Sequence, residues 1–173
     1  MTPVQLTAFL SRAPLFAALS GAARASVCLR MDVVDLRSGE TLFSEGDAGD
    51  AWYVIIKGEI AIVKNTASGA PHELARLESG EAFGEMALLD NAARVATAVA
   101  ETRATLARLP ATQLHALLAE EPHVAAQLIL AMARVLCARQ RELTSVLTDL
   151  VDDPQTAPPG PHEMMAVLLG LRG

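Results

Sequence analysis

The sequence predicts a small antiparallel β-sandwich or barrel over about residues 31–109, carried between helical segments. Three observations predict it. Before Met31 and after Pro110, apolar residues recur at helical spacing. Between them lie short runs rich in β-branched and aromatic residues, with Trp52 to Lys57 the clearest. Glycines 39, 46, 58, 69 and 80 punctuate that stretch every 7 to 12 residues, the rhythm of an all-β roll.

The elements follow in order. Leu6, Phe9 and Leu10 mark a first helix, Pro14 interrupts the pattern, and Leu15, Phe16 and Leu19 resume it. Ser20-Gly21 separates a further helix over Ala22 to Leu29. Strands are expected at Val33–Leu36, Thr41–Phe43, Trp52–Lys57, Ile60–Val63, around Leu74 and Leu77, at Ala96–Ala100 and at Thr105–Leu109. Gly80 and Gly84 mark two tight places. Leu114, Leu117 and Leu118 define a short helix that ends near Glu121-Pro122. A long helix follows from about His123 to Val151.

On that helix Ile129, Met132, Leu136, Leu143, Val146 and Leu150 form a heptad stripe, with Arg139 as the polar intruder. Such a stripe fits a homodimer seam through the long helix, or packing on the chain's own sheet. Asp152 to Pro161 reads as a linker, and the apolar residues Met164 to Leu171 as a short tail of one or two helical turns. The domain is expected to span 1–151, with the roll at about 31–109 and two helices over about 111–151; residues 152–173 are linker and tail.

Composition narrows the function. The chain has 173 residues, 51% of them hydrophobic and only 3% aromatic, so one core is filled with small aliphatic groups. A net charge of −6 repels nucleic-acid backbones, and the Arg134, Arg139, Arg141 cluster reads as a solvated helix face. Cys28 and Cys137 lie in apolar helical surroundings and in no metal spacing; both are expected as buried thiols in a reducing compartment. No signal peptide and no bilayer-length apolar run is read, so the expected location is cytoplasmic, with no membrane partner. His72, His115, His123 and His162 are scattered and read as surface residues. No nucleophile motif, phosphate loop or calcium loop is present, so no catalytic residue, metal or cofactor is expected. Glu81 and Glu85 could suggest a paired-carboxylate hydrolase, but the glycine pattern and Arg94 argue against it.

The informative stretch is Phe83-Gly84-Glu85-Met86-Ala87-Leu88-Leu89 followed by Arg94-Val95-Ala96-Thr97. Gly84 lets a backbone approach a ligand. Glu85 can accept from hydroxyls, and the turn after it can present backbone amides. Arg94 can hold a phosphate through parallel charge-assisted bonds. A carboxylate for sugar hydroxyls and an arginine for a phosphate describe a sugar-phosphate pocket.

This stretch resembles the phosphate-binding cassette of cyclic nucleotide-binding domains through Phe83, Gly84, Glu85, Ala87, Leu88, Arg94, Ala96 and Thr97. Pro14-Leu15-Phe16, Gly39-Glu40, Glu45-Gly46-Asp47, Tyr53-Val54-Ile55 and Lys57-Gly58-Glu59 match further marks of the family in order, so the resemblance covers about residues 6–150. It implies an eight-stranded antiparallel jelly roll flanked by N-terminal helices and a long C-terminal helix. It implies that Glu85 binds the ribose hydroxyl, that Arg94 pairs with the cyclic phosphate, and that backbone groups of Gly84, Met86, Ala87 and Val95 complete the cradle.

Two positions depart from the family pattern. Ala93 stands where a proline is usual, which should loosen the loop, and Val95 offers no hydroxyl after the arginine. In some channels a threonine there favours guanine, so Val95 leans toward adenine or toward no preference. In bacterial catabolite activators two hydroxyl residues of the long helix contact the base; ungapped counting places Arg139 and Gln140 there.

The resulting expectation is a non-enzymatic sensor of cAMP or cGMP, cAMP favoured. It would signal to an effector protein and bind no DNA, since only about twenty residues follow Val151, too few for a helix-turn-helix domain. The alternatives are a degenerate roll serving as a dimerising interaction module, or a sensor of another ligand such as cyclic di-GMP. Replacing Arg94 with alanine is expected to abolish phosphate recognition and leave the fold intact.

Overall fold

The computed structural model describes residues 3–65 and 71–152. Three short helices come first: α1 (Pro3–Leu10), α2 (Pro14–Ala17) and α3 (Gly21–Leu29). Pro14 occupies the first turn of α2, where its missing N–H costs nothing. Ser20 caps α3 by accepting from the Ala23 amide. Eight strands follow: β1 (Asp32–Leu36), β2 (Thr41–Phe43), β3 (Ala51–Lys57), β4 (Ile60–Asn65), β5 (Pro71–Leu77), β6 (Ala82–Phe83), β7 (Thr97–Ala100) and β8 (Ala104–Pro110). A short helix α4 (Glu85–Asp90) interrupts them, and α5 (Ala111–Glu120) and α6 (Pro122–Asp152) complete the described chain.

The strands form two four-stranded antiparallel sheets, ordered β1-β8-β3-β6 and β2-β7-β4-β5. This is the jelly roll with flanking helices that the sequence predicts. The two-residue β6 has no counterpart among the strands read from the sequence. Two residues carry no periodicity, and β6 exists only because Tyr53 and Val54 of β3 pair with Phe83 and Ala82.

The core divides along β3. Ala51, Tyr53 and Ile55 face the second sheet, with Ile60, Ile62, Leu77, Ala98 and Leu106. Trp52 and Val54 face the helices, among Leu10, Phe16, Val27, Leu117, Leu128 and Met132. Both faces of β3 are therefore buried, which explains its unbroken apolar run. Small side chains such as Ala75, Ala98, Ala100 and Ala104 fill the space between the sheets.

The N-terminal half of α6 packs on α2, α3 and α5. Met132, assigned by its spacing to a dimer stripe, is buried in this intrachain core. Ile129 and Leu136 are half-buried, and the side chains of Arg139, Leu143, Val146 and Leu150 lie outside the described residues, as does the whole segment 153–173. Cys28 is buried as expected, whereas Cys137 is exposed, because it falls beyond the part of α6 that the other helices cover. Arg134 and Arg141 are exposed, in line with a solvated helix face. No helix among the described residues is long and apolar enough to cross a membrane.

The junction of α5 and α6 is tied to α3. Arg30 bridges Glu120 at 2.7 Å and Glu121 at 3.0 Å, and the Ser26 hydroxyl donates to Glu121 at 2.7 Å. Behind it, the Ser20 amide donates to the Gln127 side chain at 2.9 Å.

Candidate functional site

A cavity opens where α4 and the segment before β7 meet the second sheet. Phe83, Gly84, Glu85, Met86, Ala87, Arg94, Val95 and Ala96 line it, together with Phe43, Ile62 and Leu77. Its volume is about 60 Å³, well below the roughly 300–1,000 Å³ of a typical ligand pocket.

Local backbone chemistry places these residues. Gly84 adopts φ 82°, and a Cβ there would sit 2.7 Å from Nη1 of Arg94. The chain can thus turn from β6 into α4 only with glycine, directly against the guanidinium. Gly49 permits the second close approach, since a Cβ on it would lie 2.5 Å from the Ala87 carbonyl oxygen. At the other end of α4, Asn91 takes the left-handed conformation that asparagine tolerates, with φ 55°.

The loop carrying Arg94 is held despite Ala93. The Arg94 amide donates to the Asp47 carbonyl at 2.7 Å, and the Arg94 carbonyl accepts from the Gly46 amide at 2.9 Å. Ala93 forms a bridge with Ala48. Tertiary hydrogen bonds thus do the work that a proline ring would do locally, and the expected loosening of this loop is offset.

Arg94 is only 3% exposed. It donates through Nη1 to the Gly84 carbonyl at 3.0 Å, and through Nη2 to the Ala51 carbonyl at 2.7 Å and to Asp50 at 3.1 Å. Its guanidinium carbon lies 4.1 Å above the Phe43 ring and 5.6 Å from the Tyr53 ring. Tyr53 and Phe83 stack at 5.4 Å behind them, so half of the chain's six aromatic residues gather around one cation. Burial, reinforced by the Asp50 carboxylate, pushes the Tyr53 phenol above its usual range against the opposing pull of Arg94 and Arg108. The ring therefore stays neutral. Three of the five guanidinium donors are engaged, while Nε is buried with no hydrogen-bond partner among the described residues. A residue so integrated belongs to the packing of the roll as well as to the cavity, so its removal is expected to cost stability, contrary to the expectation from the sequence.

Glu85, 4% exposed, lines the same cavity. Glu81 does not line it; it is exposed, and its carboxylate accepts from the Glu78 amide at 2.6 Å. Of the cassette, Phe83, Gly84, Glu85, Met86, Ala87, Arg94, Val95 and Ala96 thus come together around one cavity, whereas Leu88 and Thr97 do not line it. Gln140 does not join them: it is exposed on α6 and absent from the lining, and the Arg139 side chain lies outside the described residues.

Sequence reasoning missed Asp50. Asp50 bonds Arg94 through one oxygen and Arg108 through the other, each at 3.1 Å, and its carbonyl accepts from the Ala111 amide at the start of α5. The only sequence signal was its place in the glycine-flanked turn before β3. No group of three or more potential metal ligands clusters among the described residues.

The double-sheet roll thus brings a buried arginine and a buried glutamate to the lining of one cavity. The description of one family, the cyclic nucleotide-binding domain, matches residues 33–121. The chain belongs to that family. It is 30% identical over 142 residues to a CRP-like cAMP-activated global transcriptional regulator of Mycobacterium tuberculosis, an overlap of 82% of this chain and 62% of that protein. It is 38% identical over 102 residues to the cAMP-dependent protein kinase regulatory subunit of Aspergillus niger, covering 59% of this chain and 24% of that one. The N-terminal domain of a transcriptional regulator from Streptomyces coelicolor A3(2) has a similar structure, with a TM-score of 0.66 and 38% identity over 73% of this chain and 90% of the other. The chain thus spans less than two thirds of the length of the two curated relatives.

Proposed function

We propose that the domain binds a cyclic nucleotide monophosphate, cAMP in preference to cGMP, and acts as a cytoplasmic, non-catalytic sensor. One observation carries the reading. A guanidinium 3% exposed, with its Nε unpartnered among the described residues, lines the same cavity as a buried carboxylate. Phosphate oxygens would take the remaining donors of Arg94, and Glu85 would accept from the ribose hydroxyl. Backbone groups of Gly84, Met86, Ala87 and Val95 would complete the cradle. Nothing at Val95 supplies the hydroxyl that would favour guanine.

In this reading the cavity widens to admit a nucleotide, and the most direct route is outward movement of α4. Phosphate would compete with Asp50 for Arg94. Asp50 also holds the first amide of α5, so that competition would reach α5, the Arg30-bound junction and α6. The ligand shifts this equilibrium only by its differential affinity for the two arrangements. Output would run through the C-terminal half of α6, by homodimerisation or by contact with an effector protein. The net charge of −6 supports a protein rather than DNA as the surface this segment meets.

A second reading has its own support: three guanidinium donors are already engaged and the cavity is small. Arg94 would then be structural and the roll an interaction module. Titration calorimetry with cAMP, cGMP and cyclic di-GMP separates the readings. Micromolar or tighter cAMP binding, with the nucleotide recovered intact by chromatography, supports the sensor. Binding of cyclic di-GMP alone would point to a different ligand, and no heat from any of the three would point to the interaction module.

A further inference from the structure

The geometry points to Lys64, a residue outside the cavity lining, as the positioning residue for the Val95–Ala96 peptide, one beyond Arg94. This inference rests on the sensor reading for its consequence on affinity, and on the fold alone for its geometry. The Lys64 ammonium donates to the Val95 carbonyl at 2.6 Å and to the Glu45 carboxylate at 2.9 Å. Glu45 is fixed in turn: its second oxygen accepts from the Asn65 amide at 3.4 Å, and its own amide donates to the Thr97 hydroxyl at 2.9 Å. The turn after β2, the end of β4 and the start of β7 are thus joined at one ammonium.

The location gives this joint its function. Residues 93 and 94 are tied by the Ala48 bridge and by the bonds to Gly46 and Asp47, as described above. The next peptide, between Val95 and Ala96, lies past those ties, and both of its residues line the cavity. Lys64 takes hold of its carbonyl. A trans peptide points its carbonyl and its amide in opposite directions, so fixing one fixes the other. With alanine at position 93, no ring stiffens the chain before Arg94. The ties to Gly46, Asp47 and Ala48 hold the chain there, and the ammonium extends that hold from β4 to the peptide after Val95. Both partners are about one-third exposed, and Lys64 lowers the Glu45 carboxyl below its usual range by hydrogen bonding, so Glu45 is a carboxylate at neutral pH.

The test compares Lys64→Met and Lys64→Arg in the full chain. Amide hydrogen exchange is measured without nucleotide, and cAMP affinity by calorimetry. Lys64→Met is expected to speed exchange at Ala96 and Thr97 about tenfold, to leave Trp52 to Ile55 of β3 unchanged, and to weaken cAMP binding about tenfold. Lys64→Arg is expected to restore both. Unchanged exchange at Ala96 and Thr97, an equal rise across the whole roll, or full cAMP affinity in Lys64→Met would overturn the assignment. The two levels separate cleanly. If the wild-type chain binds no cAMP but the local exchange effect is present, the clamp stands and the sensor reading falls. If the wild type binds cAMP and Lys64→Met matches it in both measurements, the clamp falls and the sensor reading stands.

Discussion

Replacing Arg94 with methionine keeps most of the side-chain volume and removes the charge and every donor. Three hydrogen bonds disappear, and the carbonyls of Gly84 and Ala51 lose their guanidinium partner. The stack over Phe43 loses its cation. Asp50 is exposed and regains water, so the cost lies in the two bonds from a charged donor to the Gly84 and Ala51 carbonyls, about 1.5–3 kcal/mol each, or about 3–6 kcal/mol together. For a domain of this size each kcal/mol lowers Tm by roughly 2–4 °C, so a fall of about 6–24 °C is expected. The assay is thermal unfolding followed by circular dichroism, with and without cAMP. Ligand at one hundred times its Kd stabilises the wild type by about 2.7 kcal/mol. That corresponds to a rise of roughly 5–11 °C. The variant should show the fall and no rise. A variant that melts within a degree of the wild type would refute the claim that Arg94 is built into the roll, and one that is still stabilised by cAMP would refute its role in the site.

Glu85→Gln should weaken cAMP binding about tenfold or more, as loss of a charged acceptor does; with 2′-deoxy-cAMP the same substitution should cost little more, and full additivity in calorimetry would contradict a ribose contact. Gly49→Ala forces a methyl group into Ala87 and should destabilise the fold by about 1–3 kcal/mol in urea titration, since α4 must shift. Burial pushes the Cys28 thiol above its usual range, whereas Cys137 is exposed. A thiol reagent at pH 8 should therefore label one cysteine per chain quickly and the second only on unfolding; two fast sites would contradict the packing of α3. Leu143→Glu should convert a dimer to a monomer in sedimentation, and an unchanged mass would place the heptad stripe outside any seam.

Much of this architecture is legible in the sequence because the relevant signals are local. Helix starts are written in Pro14 and Ser20, and seven of the eight strands in period and glycine spacing. The cassette is equally local, since Gly84, Glu85 and Arg94 stand within ten positions of one another. What escaped depends on contacts between distant segments. The strand β6 is defined by its partner β3. Met132 obeys a heptad spacing that suits a dimer, yet the N-terminal helices cover it first. Asp50 reaches Arg94 across 44 positions, and Lys64 reaches Val95 across 31, distances at which spacing carries no information.

The most direct test of the central claim is a crystal structure of the chain grown with cAMP. The account predicts the cyclic phosphate within hydrogen-bond distance of Arg94, its Nε included, with a ribose hydroxyl donating to Glu85 and α4 displaced outward. A nucleotide bound elsewhere, with the bonds from Arg94 to Gly84, Ala51 and Asp50 intact, would contradict it.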